Sequence, residues 1–543
     1  MQAYLETLIK SRLEQLGWKA PHIQLSRPKN ADNGDWASNV AMILARELKK
    51  APLQIAEELM EGMELDPHIV EKYEIVKPGF INFFQSTNYL TDELERVLEL
   101  REDFGKNTIG KGKTAQVEFV SANPTGPLTV GHGRQTVLGD TLASILTSSG
   151  YDVTREYYFN NAGRQMRLLG ESLKARYLQL KGSQTVLPDG GYEGLYLLDV
   201  AQKLLDEQPE LSANTDVSIF KDYAEKSIFA IIKNSLERIG VVHDVFYNER
   251  SLYKDGKIEE VLGLLRDKDL IYEKDGATWF KTSELGVDQD RVLVKSSGEP
   301  TYRLPDIAYH REKVARGFDM VVDVFGADHI DAYPDVLSAL KVMGLKHDHI
   351  HVVIHQFVTL VRSGEVVKMS TRKANFVTLD ELIDEVGADV VRYFYIMRSA
   401  SSHLNFDLDL AKRQTEENPV FYLQYAHARI SSIFRRAKER GLKVDTSRAD
   451  LALLDEEFTV ALINETLAFP EVIERCLTTL EVHHLPNYLF ELATALHKFY
   501  TEYKVIDLDQ PDVSKARLAL LDAVQVTLRN GLRILGITAP DQM

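Results

Sequence analysis

Apolar residues in the first part of the chain recur at helical spacing and then at strand spacing, which predicts a small α+β domain. One face of the first predicted helix collects Leu5, Leu8, Ile9, Leu13 and Leu16. Gly17 is placed to end this helix. Two further helical patterns run from Val40 to Leu48 and from Leu53 to Leu59. The stretch YEIVKPGFINFF then predicts two short strands around a Lys-Pro-Gly turn.

A segment rich in Gly and Lys separates this domain from a predicted parallel sheet. The linker has the sequence REDFGKNTIGKGKT. It is followed by a strand, TAQVEFVSA, by the turn-rich stretch NPTGPLTVGHGRQ, by a helix from about His132 to Ser149, and by the strand VTREYYF. Strand, loop, helix and strand in this order form a βαβ unit, which implies parallel strands with ligands at their carboxyl edge.

The remaining patterns extend the sheet domain and add a helical one. Residues from about 165 to 275 show mostly helical patterns and are predicted to form an insertion. Strands return with ATWFK, RVLVK, MVVDVFG and HIHVVIH, and from about Leu408 the pattern is almost wholly helical. We therefore predict an α/β protein with three domains: a small α+β domain at 1–105, a Rossmann-like parallel-sheet domain at 106–405 and an all-helical domain at 406–543.

The composition agrees with several globular domains and excludes some classes of protein. A length of 543 residues suggests roughly three or four domains, and 44% hydrophobic with 27% charged residues excludes wholesale disorder. No apolar run approaches the ~18 residues of a membrane span. A net charge of −17 argues against indiscriminate coating of nucleic acid, although it permits a discrete basic face. With one cysteine, Cys476, and an acid-bearing N-terminus unlike a targeting peptide, we expect a cytoplasmic protein.

The loop between the first strand and helix of the sheet domain has the features of a phosphate site. Gly and Pro residues between Asn123 and Gly133 let the backbone pass close to a flat or charged ligand. His132, flanked by Gly131 and Gly133, lies on the first turn of the predicted helix, where free N–H groups and the helix dipole attract phosphate. The alternative is a tight turn with a capping histidine.

A basic loop much later in the chain has a complementary chemistry. It places Lys368, Arg372 and Lys373 around Met369 and Ser370, ahead of a predicted helix. Three cations there can neutralise a polyphosphate as charge builds between the α-phosphorus and a leaving pyrophosphate. A basic loop is otherwise solvated surface, and these residues alone leave that alternative open.

Together the two loops resemble a known family. PLTVGHGR and VVKMSTRK resemble the paired nucleotide-binding signatures of class I aminoacyl-tRNA synthetases. VEFVSANPTGPLTVGHGRQTVLGD and NPVFYLQYAHARI resemble arginyl-tRNA synthetases more specifically, and the order of parts is similar over essentially the full chain. The resemblance implies ATP-dependent ligation of L-arginine to tRNA(Arg) through arginyl-adenylate, assisted by Mg²⁺. Two positions depart from the family pattern: Thr129 replaces a histidine in the first signature and Thr371 a lysine in the second.

The resemblance also implies roles around the nucleotide. His132 and Lys368 would stabilise the transition state, helped by Arg372 and by Thr129, which donates a hydrogen bond but carries no charge. After the strand MVVDVFG, Gly326 allows close ligand approach and Asp328 accepts from ribose hydroxyls, with capping by Asp328 as the alternative. The predicted ATP-binding residues are Gly131, His132, Gly133, Gly326, Asp328, Gln356, Lys368, Met369 and Ser370.

The amino-acid pocket follows from the shape of a guanidinium group, whose fixed donors require more than one carboxylate or amide acceptor. Tyr302 and Asp306 are four apart at the start of a predicted helix, so they can share a face. By resemblance, Glu118, Tyr302 and Asp306 hold the guanidinium. Asn123 holds the α-ammonium or carboxylate end, and His329 lines the same cleft. Alternatively, Glu118 is a strand-edge charge, Asp306 a first-turn acid and Tyr302 a core aromatic.

A late helix is predicted to contact RNA. It has the sequence YLQYAHARISSIFRRAKER, with cations suited to phosphates and tyrosines suited to stacking on unpaired bases. A solvated basic face is the ordinary alternative. By resemblance to the family's anticodon-binding domain, the tRNA-binding residues are Tyr422, Tyr425, His427, Arg429, Arg435 and Arg436. The resemblance further implies that the N-terminal domain contacts tRNA near its D-loop, that tRNA binds before arginine is activated, and that the protein is a monomer.

Two other functions compete with this one. The first is a class I synthetase for another amino acid or a small-molecule adenylyltransferase, although the pocket acids favour a cationic substrate and the long helical region disfavours a small-molecule enzyme. The second is a non-catalytic tRNA-binding relative, which Thr129 favours and His132 opposes. GKNTIGKG is not a P-loop, because Gly112 stands where Ser or Thr is required. No metal ligands are predicted, since a half-exposed strand face explains His347, His349 and His351, and His483-His484 carries less signal.

Overall fold

The computed structural model describes residues 1–19, 23–28, 30–367, 377–442 and 449–543. The chain forms two compact units, each built from segments that are distant in sequence. The first unit contains Met1–Phe104, Ile430–Ala468 and Thr494–Thr527, and the second contains Gly105–Arg429, Phe469–Ala493 and Leu528–Met543. Within the described ranges, no helix combines the length and the apolar character needed to cross a membrane.

The first unit begins with the predicted α+β arrangement. Four strands form an antiparallel sheet in the order β1-β2-β4-β3, with β1 (Leu25–Ser26), β2 (Trp36–Ser38), β3 (Val70–Val76) and β4 (Phe80–Gln85). The helices of this region are α1 (Gln2–Gln15), α2 (Val40–Leu48), α3 (Pro52–Met60) and α4 (Thr87–Leu100). Leu5, Ile9 and Leu13 of α1 are fully buried in the same apolar core as Phe83 of β4. The predicted helices and strand pair are therefore confirmed.

The second unit is organised around a parallel sheet. Its strands are β5 (Thr114–Glu118), β6 (Asp152–Phe159), β7 (Val245–Asn248), β11 (Met320–Gly326) and β12 (Ile350–His355), in the order β12-β11-β5-β6-β7. Every adjacent pair in this sheet is parallel. The chain moves outward from β5 to β7 and then returns to the other side of β5, which is the order of a Rossmann-like sheet. Such a reversal opens a crevice at the carboxyl ends of the central strands, so the predicted fold class is confirmed.

Helix α5 (Val130–Ser148) connects β5 to β6 and approaches its neighbours through two glycines. A Cβ atom built on Gly139 would lie 2.2 Å from the ring of Phe119. A Cβ atom built on Gly133 would lie 2.8 Å from the side chains of Leu379 and Tyr395. Glycine is the residue that permits both approaches, and the contact at Gly133 fixes the first turn of α5, where His132 lies.

The insertion predicted at about 165–275 is mostly helical, but it also contributes to the parallel sheet. Its helices are α6 (Gly163–Leu180), α7 (Tyr196–Glu207), α8 (Val217–Arg238), α9 (Arg250–Lys254) and α10 (Lys257–Asp267). Strand β7 lies within the same range and pairs with β6 at the edge of the sheet. The sequence analysis missed β7 because a strand of 4 residues is too short to show a period.

Two smaller sheets complete the strands of the second unit. One is antiparallel and contains β8 (Ile271–Lys274), β9 (Ala277–Phe280) and β10 (Arg291–Val294). The other contains β13 (Val358–Arg362), β14 (Glu365–Val366) and β15 (Leu404–Asp407). ATWFK and RVLVK are thus confirmed as strands, whereas β13, β14 and β15 were not predicted. The helices between them are α11 (Arg303–Ala315), α12 (Tyr333–Val342), α13 (Leu379–Val386), α14 (Ala388–Ile396) and α15 (Leu408–Ala411).

The last part of the chain is helical, as its pattern predicts. Its helices are α16 (Pro419–Glu439), α17 (Glu457–Leu467), α18 (Phe469–Thr479), α19 (His484–Glu502) and α20 (Pro511–Leu535). Helices α16, α19 and α20 each contribute residues to both compact units. A helical pattern by itself reports only which face is buried, so it carries no information about this sharing.

We predict that Gly139→Ala destabilises the protein, because the new methyl group meets the ring of Phe119. Overpacking of this kind costs about 1–3 kcal/mol and is measured as a lower Tm. Gly263→Ala is the matched control, since Gly263 also lies inside a helix but has no atom within 4 Å of its built Cβ. That substitution is expected to raise stability by about 0.5–1 kcal/mol. An equal loss of Tm in both variants would contradict the packing argument.

Candidate active site

The first turn of α5 holds His132 in a defined tautomer. The backbone N–H of Thr129 donates to Nδ1 of His132 at 3.1 Å, and the Thr129 hydroxyl lies 3.2 Å from the same nitrogen. Because Nδ1 accepts from the amide, the proton of the neutral imidazole is on Nε2. Burial lowers the pKa of His132, an effect that the charge of Asp328 opposes. His132 therefore presents a neutral Nε2–H donor, and Thr129 orients it.

The first signature is paired through its backbone with the segment that follows the second signature. Leu128–Val130 and Val377–Leu379 are joined by an antiparallel β-bridge and by two N–H···O=C hydrogen bonds of 2.8 and 3.3 Å. The pairing brings the chain that leaves the second signature next to the first turn of α5. The predicted residues of the second signature lie outside the described residues, namely Lys368, Met369, Ser370, Thr371 and Arg372.

Gly326, Asp328 and His329 lie at or just past the carboxyl end of β11. A Cβ atom built on Gly326 would lie 2.5 Å from the carboxylate of Asp328, so glycine makes room for this side chain. The side chains of Asp328 and His329 are 71% and 51% exposed, and the His329 ring stacks on Phe325 at 5.1 Å. Since the charge of Asp328 raises the pKa of His132, these two groups lie in one electrostatic environment.

A buried arginine fixes the backbone around Gln356. Arg134 is completely buried, and its guanidinium donates to the carbonyl oxygens of Gln356 at 2.8 Å, Ser402 at 2.9 Å and Ser399 at 2.9 Å. Burial lowers its pKa to about 10, so it remains charged at neutral pH. The N–H of Gln356 donates in turn to Ala400 at 3.0 Å. Arg134 was not among the predicted site residues, because nothing in the neighbouring sequence indicates that this charged side chain is buried.

His355, at the end of β12, is a further member of this group. Its Nδ1 lies 3.2 Å from the carbonyl oxygen of Gln356, while its buried Nε2 has no hydrogen-bond partner in the part of the chain that the structure describes. Burial lowers the pKa of His355 to about 4. Its Nε2 lies 3.9 Å from a Cβ atom built on Gly326. A neutral hydrogen-bond acceptor therefore faces the carboxyl edge of the sheet. His355 was not among the predicted site residues.

Asp306, on the first turn of α11, interacts electrostatically with Glu249, Tyr158 and Tyr253; we call these four residues the acid pocket. Burial raises the pKa of Asp306 to about 7, and the charge of Glu249 also raises it, against the opposing effect of His310. Glu249 accepts from the hydroxyl of Tyr158 at 2.8 Å and from that of Tyr253 at 3.4 Å. Burial raises the pKa of Glu249 as well. A cation bound near these two carboxylates would favour their ionised forms.

Sequence analysis missed Glu249 and found Asp306. Glu249 follows the short strand β7, in the range that the pattern marked as a helical insertion. Asp306 was found through its resemblance to the family motif and its spacing from Tyr302. No local pattern marks Glu249, because its proximity to Asp306 arises only when β7 joins the parallel sheet.

Glu118 lies beneath this pocket, with both carboxylate oxygens engaged. One oxygen accepts from the Ser121 hydroxyl at 2.8 Å, and the other contacts Nζ of Lys313, which also contacts Asp323. Burial disfavours the charge of Lys313, but the carboxylates of Asp323 and Glu118 outweigh this effect and raise its pKa. The carboxylate of Glu118 is thus compensated by Lys313 inside the core, and its contact with a guanidinium stays a prediction.

Tyr302 and Asp306 do not share a buried face, despite their spacing. Tyr302 stands at the N-cap of α11 and is 81% exposed, whereas Asp306 is half-buried. The N–H of Asp306 donates to the carbonyl oxygen of Tyr302 at 3.3 Å, so the helical spacing extends to Tyr302 and the two side chains differ in exposure. The side chain of Asn123 is held at both ends, since its oxygen accepts from the N–H of Asn160 at 3.0 Å and its nitrogen donates to Gln165 at 3.2 Å.

Helix α16 carries the predicted tRNA-binding residues on different faces. Tyr422 is 8% exposed and its ring lies 5.1 Å from that of Phe490. His427 is fully buried, with Nδ1 2.9 Å from the carbonyl oxygen of Pro540, and burial lowers its pKa. Both side chains are packed in the protein interior, and their contact with RNA stays a prediction. Half-buried or exposed positions are held by Tyr425, Arg429, Arg435 and Arg436.

One histidine cluster has the composition of a metal site. Glu481, His483 and His484 place ligand atoms within 4.8 Å of one another in the turn between α18 and α19. His483 lies 3.1 Å from Glu481, and the charge of Arg475 contributes, with burial, to lowering the pKa of both histidines. Because a neighbouring cation also opposes a metal ion, we assign this cluster no metal-binding role.

The fold and these contacts define the class of protein as a class I aminoacyl-tRNA synthetase: a Rossmann-like sheet carries the first signature, and that signature is paired through its backbone with Val377–Leu379, which follow the second. Three family models match in chain order. They are the arginyl tRNA synthetase N-terminal domain at residues 3–85, the catalytic domain of class I tRNA synthetases (R) at 93–394, and the DALR anticodon binding domain at 423–543.

Individual relatives agree with these models. The arginine–tRNA ligase of Desulfotalea psychrophila is 51% identical over 95% of this chain and 94% of its own, and that of Salinibacter ruber is 48% identical over 100% of both. A putative arginyl-tRNA synthetase structure from Campylobacter jejuni has a TM-score of 0.78 at 31% identity, covering 84% of this chain and 100% of the other. The Thermus thermophilus enzyme shares the fold, with a TM-score of 0.81 at 23% identity over 100% of both chains. The chain belongs to the arginyl-tRNA synthetase family.

Proposed function

We propose that this chain ligates L-arginine to tRNA(Arg) in two steps. Arginine and ATP first form arginyl-adenylate and pyrophosphate, and the arginyl group then passes to the terminal adenosine of the tRNA with release of AMP. The observation that supports this best is the acid pocket around Asp306, which lies in the same compact unit as the paired signatures. A pocket of this charge suits a cationic side chain, and the crevice of a Rossmann-like sheet suits a nucleotide.

Asp306 and Glu249 hold the guanidinium of arginine in this proposal. Two carboxylates at set angles match its fixed donors, whereas the compact ammonium of lysine leaves one acceptor unmatched. Tyr158 and Tyr253 support Glu249 by donating to its two oxygens. Glu118, which is paired with Lys313 in the core, acts on Asp306 only through its charge.

The remaining substrate contacts stay close to those expected from the sequence. Asn123 binds the α-ammonium or carboxylate end of arginine. Tyr302 and His329, both exposed, bind at the outer side of the cleft.

Adenylate formation needs positioning and charge stabilisation but no general base. The carboxylate of arginine is already ionised at neutral pH, so it attacks the α-phosphorus directly while the bond to pyrophosphate breaks. The Nε2–H of His132, oriented by Thr129, donates to the phosphate oxygens, and Gly131 and Gly133 let the phosphates approach the helix N-terminus. The lowered pKa of His132 keeps this donor neutral, so it acts through its hydrogen bond.

The adenosine side of the cleft is proposed at the ends of β11 and β12. Gly326 and Gln356 line it, and the unshared Nε2 of His355 accepts a hydrogen bond from the nucleoside. The exposed carboxylate of Asp328 fits the ribose hydroxyls, and it also has the oxygen chemistry that Mg²⁺ requires of a protein ligand. When bound, Mg²⁺ supplies positive charge to the phosphates of ATP.

The tRNA contacts are proposed on the helical part of the chain. Tyr425, Arg429, Arg435 and Arg436 combine stacking surface with cations that suit phosphates. We further propose that tRNA binds before arginine is activated, that the N-terminal domain contacts tRNA near its D-loop, and that the protein acts as a cytoplasmic monomer. The three domains are proposed at 1–105, 106–405 and 406–543.

Pyrophosphate exchange with each of the twenty amino acids, with and without tRNA, tests the function. We expect exchange with arginine alone and only when tRNA is present. Exchange with lysine or glutamine instead of arginine would reject the substrate assignment. A lack of exchange with every amino acid under both conditions would reject the enzymatic function and favour a tRNA-binding protein.

We predict that arginine recognition depends on pH through Asp306. Its pKa of about 7 means that the carboxyl group is protonated, and therefore neutral, below that pH. The kcat/KM for arginine should fall by up to about tenfold per pH unit below about pH 7, whereas the KM for ATP should change little. Both cationic groups of arginine stay charged over this range, so the substrate itself does not cause the change.

Asp306→Asn supplies the control, because an amide cannot titrate. This variant is expected to raise the KM for arginine about tenfold to hundredfold, in line with the loss of one charge-assisted contact, and to flatten the pH profile. A parallel rise in the KM for ATP, or an unchanged pH profile in the variant, would contradict the assigned role.

We predict that Lys368→Ala slows adenylate formation about a hundredfold or more, the usual cost of one donor to a developing anion. The KM for arginine should change much less, since the lysine acts on the phosphates. Stopped-flow measurement of adenylate formation gives both values, and Lys341→Ala, at an exposed position on α12, is the control. Equal rates for the Lys368 variant and the parent would remove this lysine from the mechanism.

A further inference from the structure

The loop that joins β5 to α5, which we call the Asn123 loop, begins with two residues in a strained backbone conformation. Val120 and Ser121 both have positive φ, at 71° and 43°, a region that is costly for side chains and especially for β-branched valine. The loop then continues through Asn123, the proposed contact for the backbone end of arginine, and Thr125 to the first signature. Because such strain persists only when surrounding contacts maintain it, the partners of this loop determine where Asn123 lies.

Strand β6 and the residue after it hold the first half of the loop. The N–H of Tyr158 donates to the Ser121 hydroxyl at 3.2 Å, and the hydroxyl of Tyr157 donates to the carbonyl of Ala122 at 2.8 Å. The N–H of Asn160 then reaches the side-chain oxygen of Asn123 at 3.0 Å. These contacts come from the rigid parallel sheet.

The insertion holds the second half of the loop. Tyr196 donates from its hydroxyl to the carbonyl of Thr125 at 2.7 Å, and the side chain of the same threonine lowers the pKa of Tyr192 against the effect of burial, so Tyr192 also faces this residue. Gln165 of α6 accepts from the side-chain amide of Asn123 at 3.2 Å. Both halves of one loop are therefore held, but by two different parts of the unit.

The segment that carries the two tyrosines is shaped for close contact with the loop and with α6. A Cβ atom built on Gly194 would lie 2.2 Å from the ring of Tyr196, and one built on Gly126 would lie 3.3 Å from its hydroxyl oxygen. The N–H of Tyr192 donates to the hydroxyl of Ser172 at 2.9 Å. The insertion thus presents the tyrosines to the loop in a fixed arrangement that a larger residue at position 194 would disturb.

We propose that Tyr196 and Tyr192, which we call the tyrosine latch, are positioning residues for arginine binding, acting through the Asn123 loop. The proposal rests on the function given above. The latch acts on the amino-acid half of the site, because it holds the loop at Asn123 and Thr125, whereas the phosphate contacts of the first turn of α5 are held separately by the pairing with Val377–Leu379. The latch makes the insertion part of substrate recognition. A displacement of the insertion therefore changes the affinity for arginine more than the affinity for ATP.

Replacement of each tyrosine by phenylalanine tests the latch, because it deletes one hydroxyl and leaves the ring that packs. In pyrophosphate exchange with tRNA present, Tyr196→Phe is expected to raise the KM for arginine about threefold to tenfold, the effect of one hydrogen bond. The KM for ATP and the Tm should stay near those of the parent. Tyr192→Phe in addition should raise the KM for arginine further.

Tyr177→Phe is the matched control within the same insertion. The hydroxyl of Tyr177 also donates to a carbonyl, that of Gln208 at 2.7 Å, but this bond lies between parts of the insertion and not on the Asn123 loop. The control should leave the KM for arginine unchanged, whatever its effect on Tm. An unchanged KM for arginine in the double variant, equal rises for arginine and ATP, or the same rise in Tyr177→Phe would each overturn the proposal. Failure of the parent to exchange with arginine would reject the proposed function instead.

Discussion

The backbone pairing of Leu128–Val130 with Val377–Leu379 is the constraint on which the rest of the active site depends. It joins two segments that are far apart in the chain, and it uses main-chain groups, so it tolerates changes of side chain better than an ion pair does. The hydroxyl of Tyr395 adds a bond to the carbonyl of Val130 at 2.8 Å, and Gly133 leaves room for that ring. The first turn of α5 is therefore held from several sides, which gives His132 its fixed orientation.

Charge is distributed in the second unit so that the core is compensated and the acid pocket is not. Lys313 neutralises the buried carboxylates of Glu118 and Asp323, which would otherwise be costly to bury. Within the described residues neither Asp306 nor Glu249 forms an ion pair, and burial raises the pKa of both, although the charges of His310 and Lys313 partly oppose this at Asp306. A bound guanidinium would supply the missing charge and favour the ionised carboxylates. A cationic substrate would therefore offset part of the cost of burying these carboxylates.

In the proposed function the insertion is part of the site and not an accessory to it. It contributes the edge strand β7, the acid Glu249 after that strand, and the tyrosines that hold the Asn123 loop. A segment with these three tasks connects the parallel sheet, the amino-acid pocket and the first signature. This dependence explains why a helical pattern between two signature motifs is not evidence of a separable module.

The sequence by itself determined the helices and longer strands of the chain, the Rossmann-like class and the two signatures, because periodicity and motifs are properties of neighbouring residues. Only the tertiary structure decided which side chains are exposed to a ligand and which are buried or already paired. The four-residue spacing of Tyr302 and Asp306 suggested a shared face, but Tyr302 is 81% exposed whereas Asp306 is half-buried. His427 belongs to a basic stretch yet is buried, and Glu118 is paired with a lysine far along the chain. Burial and pairing are set by residues distant in sequence, so no local pattern can report them.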